Sequence, residues 1–152
     1  GRLHFASSSA EAGYQLEIIC DTGHNAHGFA QTGAQIAALA AGTDFPRRLI
    51  MIFGCVADKD LDSVIPLLPN EYAPGYKAYY LFVNASGSRA MPSQTLAKRV
   101  LAAGFSGEAI VAENSVIPAF EHYLAKLYRP GDLLFIGGSS YVVASLKIES
   151  GD

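Results

Sequence analysis

Asp21-Thr22-Gly23-His24-Asn25-Ala26-His27-Gly28 gathers an acid, two imidazoles and an amide between glycines. An aspartate there can accept hydrogen bonds from a pair of sugar hydroxyls, and a histidine beside it can contact phosphate or carboxylate. Gly23 and Gly28 let backbone come close to a ligand, and the N–H groups that open a helix attract anions. The plainer alternative is that Asp21 or Asn25 caps a helix and both histidines are surface groups. His24 and His27 lack the helical i, i+4 spacing of a zinc pair and have no evident third ligand, so no metal site is expected.

Three further clusters have similar chemistry. Ala57-Asp58-Lys59-Asp60 offers either a charged tip or a capping acid with a solvated lysine. Ser86-Gly87-Ser88-Arg89-Ala90-Met91-Pro92 carries an arginine, whose planar fork suits carboxylate or phosphate and otherwise makes a surface ion pair. Gly137-Gly138-Ser139-Ser140-Tyr141 supplies hydroxyls on flexible backbone, or simply a tight turn. A Ser139–His24–Asp21 hydrolase triad is not supported, because no G-x-S-x-G elbow exposes the serine. There is also no P-loop: no Lys-Ser or Lys-Thr follows the glycines, and no G-x-G-x-x-G follows any strand.

The elements that must position these clusters alternate. Residues 15–20 read as a strand, preceded by a polar loop at 6–13 that follows an initial strand. Phe29, Gly33, Ile36 and Ala40 recur at helical spacing, with Gly42 as the cap. The Leu-Ile-Met-Ile-Phe run within 48–56 predicts a strand buried on both faces. Residues 60–68 predict a short helix bent or ended by Pro66, and 76–83 a third strand. Pro92 fits the first turn of a helix whose inner face is Leu96, Ala97, Val100, Leu101 and Gly104. Residues 108–112 predict a fourth strand, Ser115 the N-cap of a helix carrying Phe120, Leu124 and Leu127, and 133–136 a fifth strand. The tail 140–147 fits either helix or strand. This alternation predicts an α/β fold, an open and mostly parallel sheet with helices on both faces. Its strands' C-terminal ends, where such sheets bind ligands, are where all four clusters fall.

Composition bounds the function. The 152 residues make one domain, with half of them hydrophobic and 16 % charged. Eleven basic against fourteen acidic residues give a formal charge of -3, with no basic surplus to replace phosphate counterions, so nucleic acid is not an expected partner. The apolar runs are strand-sized, too short to cross a membrane as a helix. Cys20 and Cys55 lie inside apolar runs and are expected as buried thiols. No signal-peptide stretch opens the chain and there is no initial Met, so a cytoplasmic fragment of something longer is expected.

In this order and at compatible spacing, the four clusters resemble the C-terminal domain of the folylpolyglutamate synthase/dihydrofolate synthase family, within the Mur ligase superfamily. The family's strand-tip motif reads D-G-A-H-N-P-H-G, against D-T-G-H-N-A-H-G at 21–28. F-G-x-x-x-D-K-D matches Phe53 to Asp60, S-R-A-x-P matches Ser88 to Pro92, and G-S-x-Y matches Gly138 to Tyr141. Gly1-Arg2 looks like the entry of the linker from an ATPase domain. Thr22-Gly23 and Ala26 depart from the family's Gly-Ala and Pro, yet Asp21, His24, Asn25 and His27 are retained.

The resemblance implies a Rossmann-like domain spanning 1–152, with the P-loop ATPase domain absent. It implies a ligase that uses ATP and Mg²⁺ to phosphorylate a carboxylate of dihydropteroate or folate, which L-glutamate then attacks. The ATPase domain would hold most of the magnesium chemistry, and this domain would close over the nucleotide, excluding water from the acyl phosphate. Asp21, Asn25 and Arg89 would face the nucleotide. His24, Ser139 and Tyr141 would face glutamate, with His24 also a candidate for contact with the reacting phosphate. Lys59 matches a motif position without an assigned role. The alternatives are a free-standing nucleotide- or anion-binding module and the C-terminal domain of a muramyl-peptide ligase.

Overall fold

A computed structural model describes residues 2–6, 14–21, 26–57, 60–85, 89–112 and 115–138. Strand β1 (Arg2–Ala6) pairs antiparallel with β2 (Leu16–Asp21), and α1 (Ala26–Ala41) follows. Then come β3 (Leu49–Phe53) and α2 (Leu61–Val64), which tightens into a 3₁₀ turn at Ile65–Leu67 around Pro66. A small hairpin, β4 (Glu71–Ala73) and β5 (Tyr76–Lys77), leads to β6 (Tyr79–Phe82). After it come α3 (Ser93–Ala102), β7 (Ser106–Ala109), α4 (Val116–His122) and β8 (Asp132–Gly137). The main sheet runs β1-β2-β8-β3-β6-β7 and is parallel throughout except at the β1 edge. The α/β, mostly parallel architecture is the one the alternation predicts.

Strand periodicity sorts the core into two layers. Leu49, Met51 and Phe53 join Leu133, Phe135, Tyr80 and Phe82 on the face covered by α1, α2 and α3. Ile50, Ile52, Leu81, Leu134 and Ile136 point the other way, under Val116, Ala119 and Tyr123 of the α4 region. All five residues of β3 are buried, as a strand covered on both faces requires. Each such side chain contributes roughly 1.5–3 kcal/mol by leaving water. Cys20 and Cys55 are buried thiols, as expected. No helix among the described residues is long and apolar enough to cross a membrane.

Several local expectations are corrected. The strand expected over 76–83 is divided, because Pro74 and Gly75 (φ 81°) make the tight turn of the β4–β5 hairpin, and Ala78 donates to Asn70 O at 2.8 Å before β6 begins. Pro92 occupies the N-cap of α3, outside the first turn, and Gly104 (φ 96°) lies past its end, off the inner face. The fourth strand starts earlier, at Ser106, and stops at Ala109. Ser115 precedes α4 but does not cap it with its side chain. Its hydroxyl donates to Ala112 O at 2.5 Å, a local turn that competes with capping. Behind α4 the helix widens at Tyr123–Leu127, where Tyr128 N–H reaches Tyr123 O at 2.8 Å. Tyr123 is thereby buried completely, while Phe120, Leu124 and Leu127 pack only partly. Gly42 ends α1 as expected, with φ 68° and its N–H on Ala38 O at 3.1 Å. The tail 140–147 lies outside the described residues.

Candidate functional site

The parallel register lines up Asp21, Gly137, Phe53, Phe82 and Ala109 in one row across the sheet, at the strands' C-terminal ends. The row continues beyond the strands: Gly54 N–H bonds Gly137 O at 3.2 Å, Val83 N–H bonds Phe53 O at 3.0 Å, and Ile110 N–H bonds Phe82 O at 2.9 Å. Strand β8 is inserted between β2 and β3, so its tip is flanked on this rim by the ends of both. At the tip of β8 stand two glycines, Gly137 and Gly138. A Cβ on Gly137 would lie 2.8 Å from Asp21 O, and one on Gly138 (φ 106°) only 2.0 Å from Gly54 O. Only glycine permits that close approach of the β2, β3 and β8 backbones.

Two loops that the sequence treats separately are joined here. Ala57 N–H donates to Arg89 O at 2.6 Å, Val56 bridges Ala90 antiparallel, and Met91 N–H donates to Cys55 O at 2.9 Å. The connection after β3 and the arginine-bearing one after β6 are thus one surface, with exposed Arg89 on it. Behind it, Asn84 Oδ1 accepts the Ser93 N–H at 2.6 Å and its Nδ2 donates to Ala112 O at 3.1 Å. Ser93, 2 % exposed, donates its hydroxyl to Ile110 O at 2.9 Å. The start of α3, where N–H groups lack helical partners, is therefore fixed to the rim.

Asp21 sits on the last position of β2, at the rim, and is only 6 % exposed. Its Oδ2 accepts a hydrogen bond from Thr32 Oγ1 of α1. Asp21 and Arg89 are the candidate residues with described side chains, and they share this rim. His24, Asn25, Lys59, Ser139 and Tyr141 lie outside the described residues. Asp60 does occupy the N-cap position of α2, but its carboxylate takes the Ser63 hydroxyl at 2.6 Å and makes no backbone cap. That bond holds the Asp60 carboxyl below its ordinary range. Among the described residues, no three His, Cys, Asp or Glu side chains cluster as a metal site.

At the opposite end of the sheet lies a buried polar cluster that motif reading does not reveal. Arg48 makes a two-pronged ion pair with Asp132, Nε to Oδ1 at 2.9 Å and Nη2 to Oδ2 at 2.7 Å, and also donates to Leu127 O at 2.5 Å. Tyr123 donates to Asp132 Oδ2 at 2.6 Å, and Arg129 N–H does so at 3.0 Å. The Arg48 guanidinium is held above its ordinary range by the hydrogen bond to Asp132, and Tyr123 by burial and then by Asp132. The available signal is opposite charges at the first positions of two apolar runs, Arg48 before β3 and Asp132 opening β8. This cluster registers the strands' N-terminal ends and is remote from the rim at their C-terminal ends.

Solved structures share the fold. Escherichia coli FolC in complex with DHPP and ADP superposes with a TM-score of 0.65 at 18 % identity, over 90 % of this chain and 28 % of that one. A bifunctional folylpolyglutamate synthase/dihydrofolate synthase from Yersinia pestis, complexed with AMPPNP and Mn ion, gives 0.70 at 18 % identity, over 91 % and 30 %. A structure of a bifunctional enzyme of that name with Mn, AMPPNP and L-glutamate bound gives 0.67 at 17 % identity, over 91 % and 30 %. The chain therefore spans less than a third of the length of these proteins. No curated protein sequence matches it. The model of the Mur ligase, glutamate ligase domain family matches residues 1–140, and the chain belongs to that family.

Proposed function

We propose that this chain is the C-terminal domain of a cytoplasmic, ATP-dependent ligase that adds L-glutamate to dihydropteroate or to folates. The observation that carries this reading is the rim. The four motif segments follow the ends of the adjacent parallel strands β2, β8, β3 and β6, and Asp21 and Arg89 share that edge. The family membership and the nucleotide-bound structures of similar fold support it. ATP supplies the phosphoryl group that activates a carboxylate for attack by the amino group of glutamate. The ATPase domain would hold Mg²⁺ and the triphosphate.

The work of this chain's residues follows from their chemistry. Asp21, buried and already oriented, accepts hydrogen bonds from nucleotide hydroxyls at low entropic cost. Arg89, on the joined loop surface, offers its fork to phosphate or carboxylate. By their match to the family's motifs, Asn25 is assigned to the nucleotide and His24, Ser139 and Tyr141 to glutamate, with His24 also a candidate for contact with the reacting phosphate. When the two domains close, the rim covers the nucleotide and keeps water from the activated carboxylate.

The test is ligase assay of the parent full-length protein with ATP, L-glutamate and either dihydropteroate or tetrahydrofolate, beside the isolated 152 residues. The parent should turn over and the isolated domain should not. Asp21→Ala in the parent should impair use of ATP by at least tenfold, on the order expected for losing a charged hydrogen-bond acceptor. Turnover by the isolated domain, or unchanged kinetics for Asp21→Ala, contradicts the assignment.

A further inference from the structure

We propose that Thr32 is a positioning residue for ATP use, acting through Asp21; this inference rests on the functional reading above and adds a residue to it. Thr32 lies in α1, eleven residues beyond Asp21, and belongs to none of the four motif segments. A threonine inside a helix can satisfy its hydroxyl on the carbonyl one turn back. Here the hydroxyl instead leaves the helix and donates to Asp21 Oδ2 at 2.5 Å. Thr32 also lines a small apolar cavity with Phe29, Ile36, Met51 and Phe53, and its branched Cβ leaves it few side-chain rotamers in a helix.

Asp21 can turn about two side-chain torsions, and at a strand tip either carboxylate oxygen could swing toward solvent or ligand. A donor held rigidly from α1 selects one orientation before the nucleotide arrives. A pre-oriented acceptor loses less freedom on binding than one that must be ordered by the ligand. The bond also offsets part of the penalty of keeping an ionised carboxylate 6 % exposed. Two properties of Thr32 can therefore be separated: the hydroxyl, which bonds Asp21, and the methyl, which is the apolar part of the side chain.

The experiment uses the parent full-length protein with ATP as the varied substrate. Thr32→Val keeps the shape and removes the donor; Thr32→Ser keeps the donor and removes the methyl. KM for ATP should rise about tenfold in Thr32→Val, with kcat changed less, and Thr32→Ser should return KM to near the parent value. Combined with Asp21→Asn, Thr32→Val should add little further, because the two act as a unit. Thermal melting of each variant separates this from a folding defect, and Thr32→Ala, which cannot overpack, repeats the measurement if the valine variant does not fold. Parent-like KM in Thr32→Val, or an equal rise in Thr32→Ser, overturns the role of the hydroxyl while leaving the ligase assignment standing. A parent protein without ligase turnover overturns both.

Discussion

A buried carboxylate needs donors, and Asp132, 2 % exposed, receives them from Arg48, Tyr123 and the Arg129 backbone. Removing the charged partner leaves that carboxylate uncompensated. Arg48→Met should therefore destabilise the domain by about 3 kcal/mol, at the lower end for a broken buried pair because the Arg48 side chain is 29 % exposed. Urea unfolding of the isolated domain measures this, and a change within 0.5 kcal/mol, roughly the range of ordinary surface substitutions, would contradict the role given to the cluster. In the sequence Arg48 and Asp132 each only open an apolar run, because a pair 84 residues apart has no local pattern. Asp21 is legible by contrast, as the residue that ends an apolar run beside histidines and glycines. Thr32 is not, since in the sequence it is an ordinary polar residue inside a helical pattern, and only folding brings it to the strand tip.

Among the elements, apolar period and punctuation decided what could be read. β3 declares itself through five consecutive buried residues, and α1 through its four-three-four spacing and Gly42. The β4–β5 hairpin escapes because two and three residues are too few to establish a period, although Ala73-Pro74-Gly75-Tyr76 holds the turn chemistry that forces it. The joining of Cys55–Ala57 to Arg89–Met91 is backbone bonding between connections, to which side-chain identity gives no clue. The end of β8 is the most constrained of these features. At Gly138 an alanine would have to adopt a φ of 106° with its methyl carbon 2.0 Å from Gly54 O. Gly138→Ala should thus cost at least ~1–3 kcal/mol, the usual penalty for a side chain held in this backbone region, and push the β3 and β8 tips apart. Thermal melting with amide hydrogen exchange at Gly54 checks it. An unchanged melting temperature would mean that the tips are not packed as described.

Across the molecule, the two core layers bring phenols out of water. Tyr80 and Tyr72 are pushed above the ordinary tyrosine range of 10.0 by burial, as is Tyr79 by burial and the nearby Glu108. Tyr123 is shifted the same way, by burial and by its bond to Asp132. In the unfolded chain these groups ionise near pH 10, whereas in the fold they keep their protons. The stability they support is complete below pH 10 and is lost above it, where the unfolded state sheds protons that the fold retains. Urea midpoints should be level from pH 7 to 9 and decline from about pH 10 upward. Tyr80→Phe should flatten part of that decline, although losing the hydroxyl's 2.7 Å bond to Pro69 O costs about 1 kcal/mol at neutral pH. An alkaline limb unaltered by this substitution would remove Tyr80 from the account.

The place of β8 between β2 and β3 also bears on how the domain is made. As the polypeptide leaves the ribosome, residues 16–21 and 49–53 are finished long before 132–137, the segment that unites them. Until that segment emerges, each has an unpaired edge of apolar strand, the state most prone to stick to other chains. A shortened product ending before residue 132 would lack the middle of its sheet, with nothing to replace it.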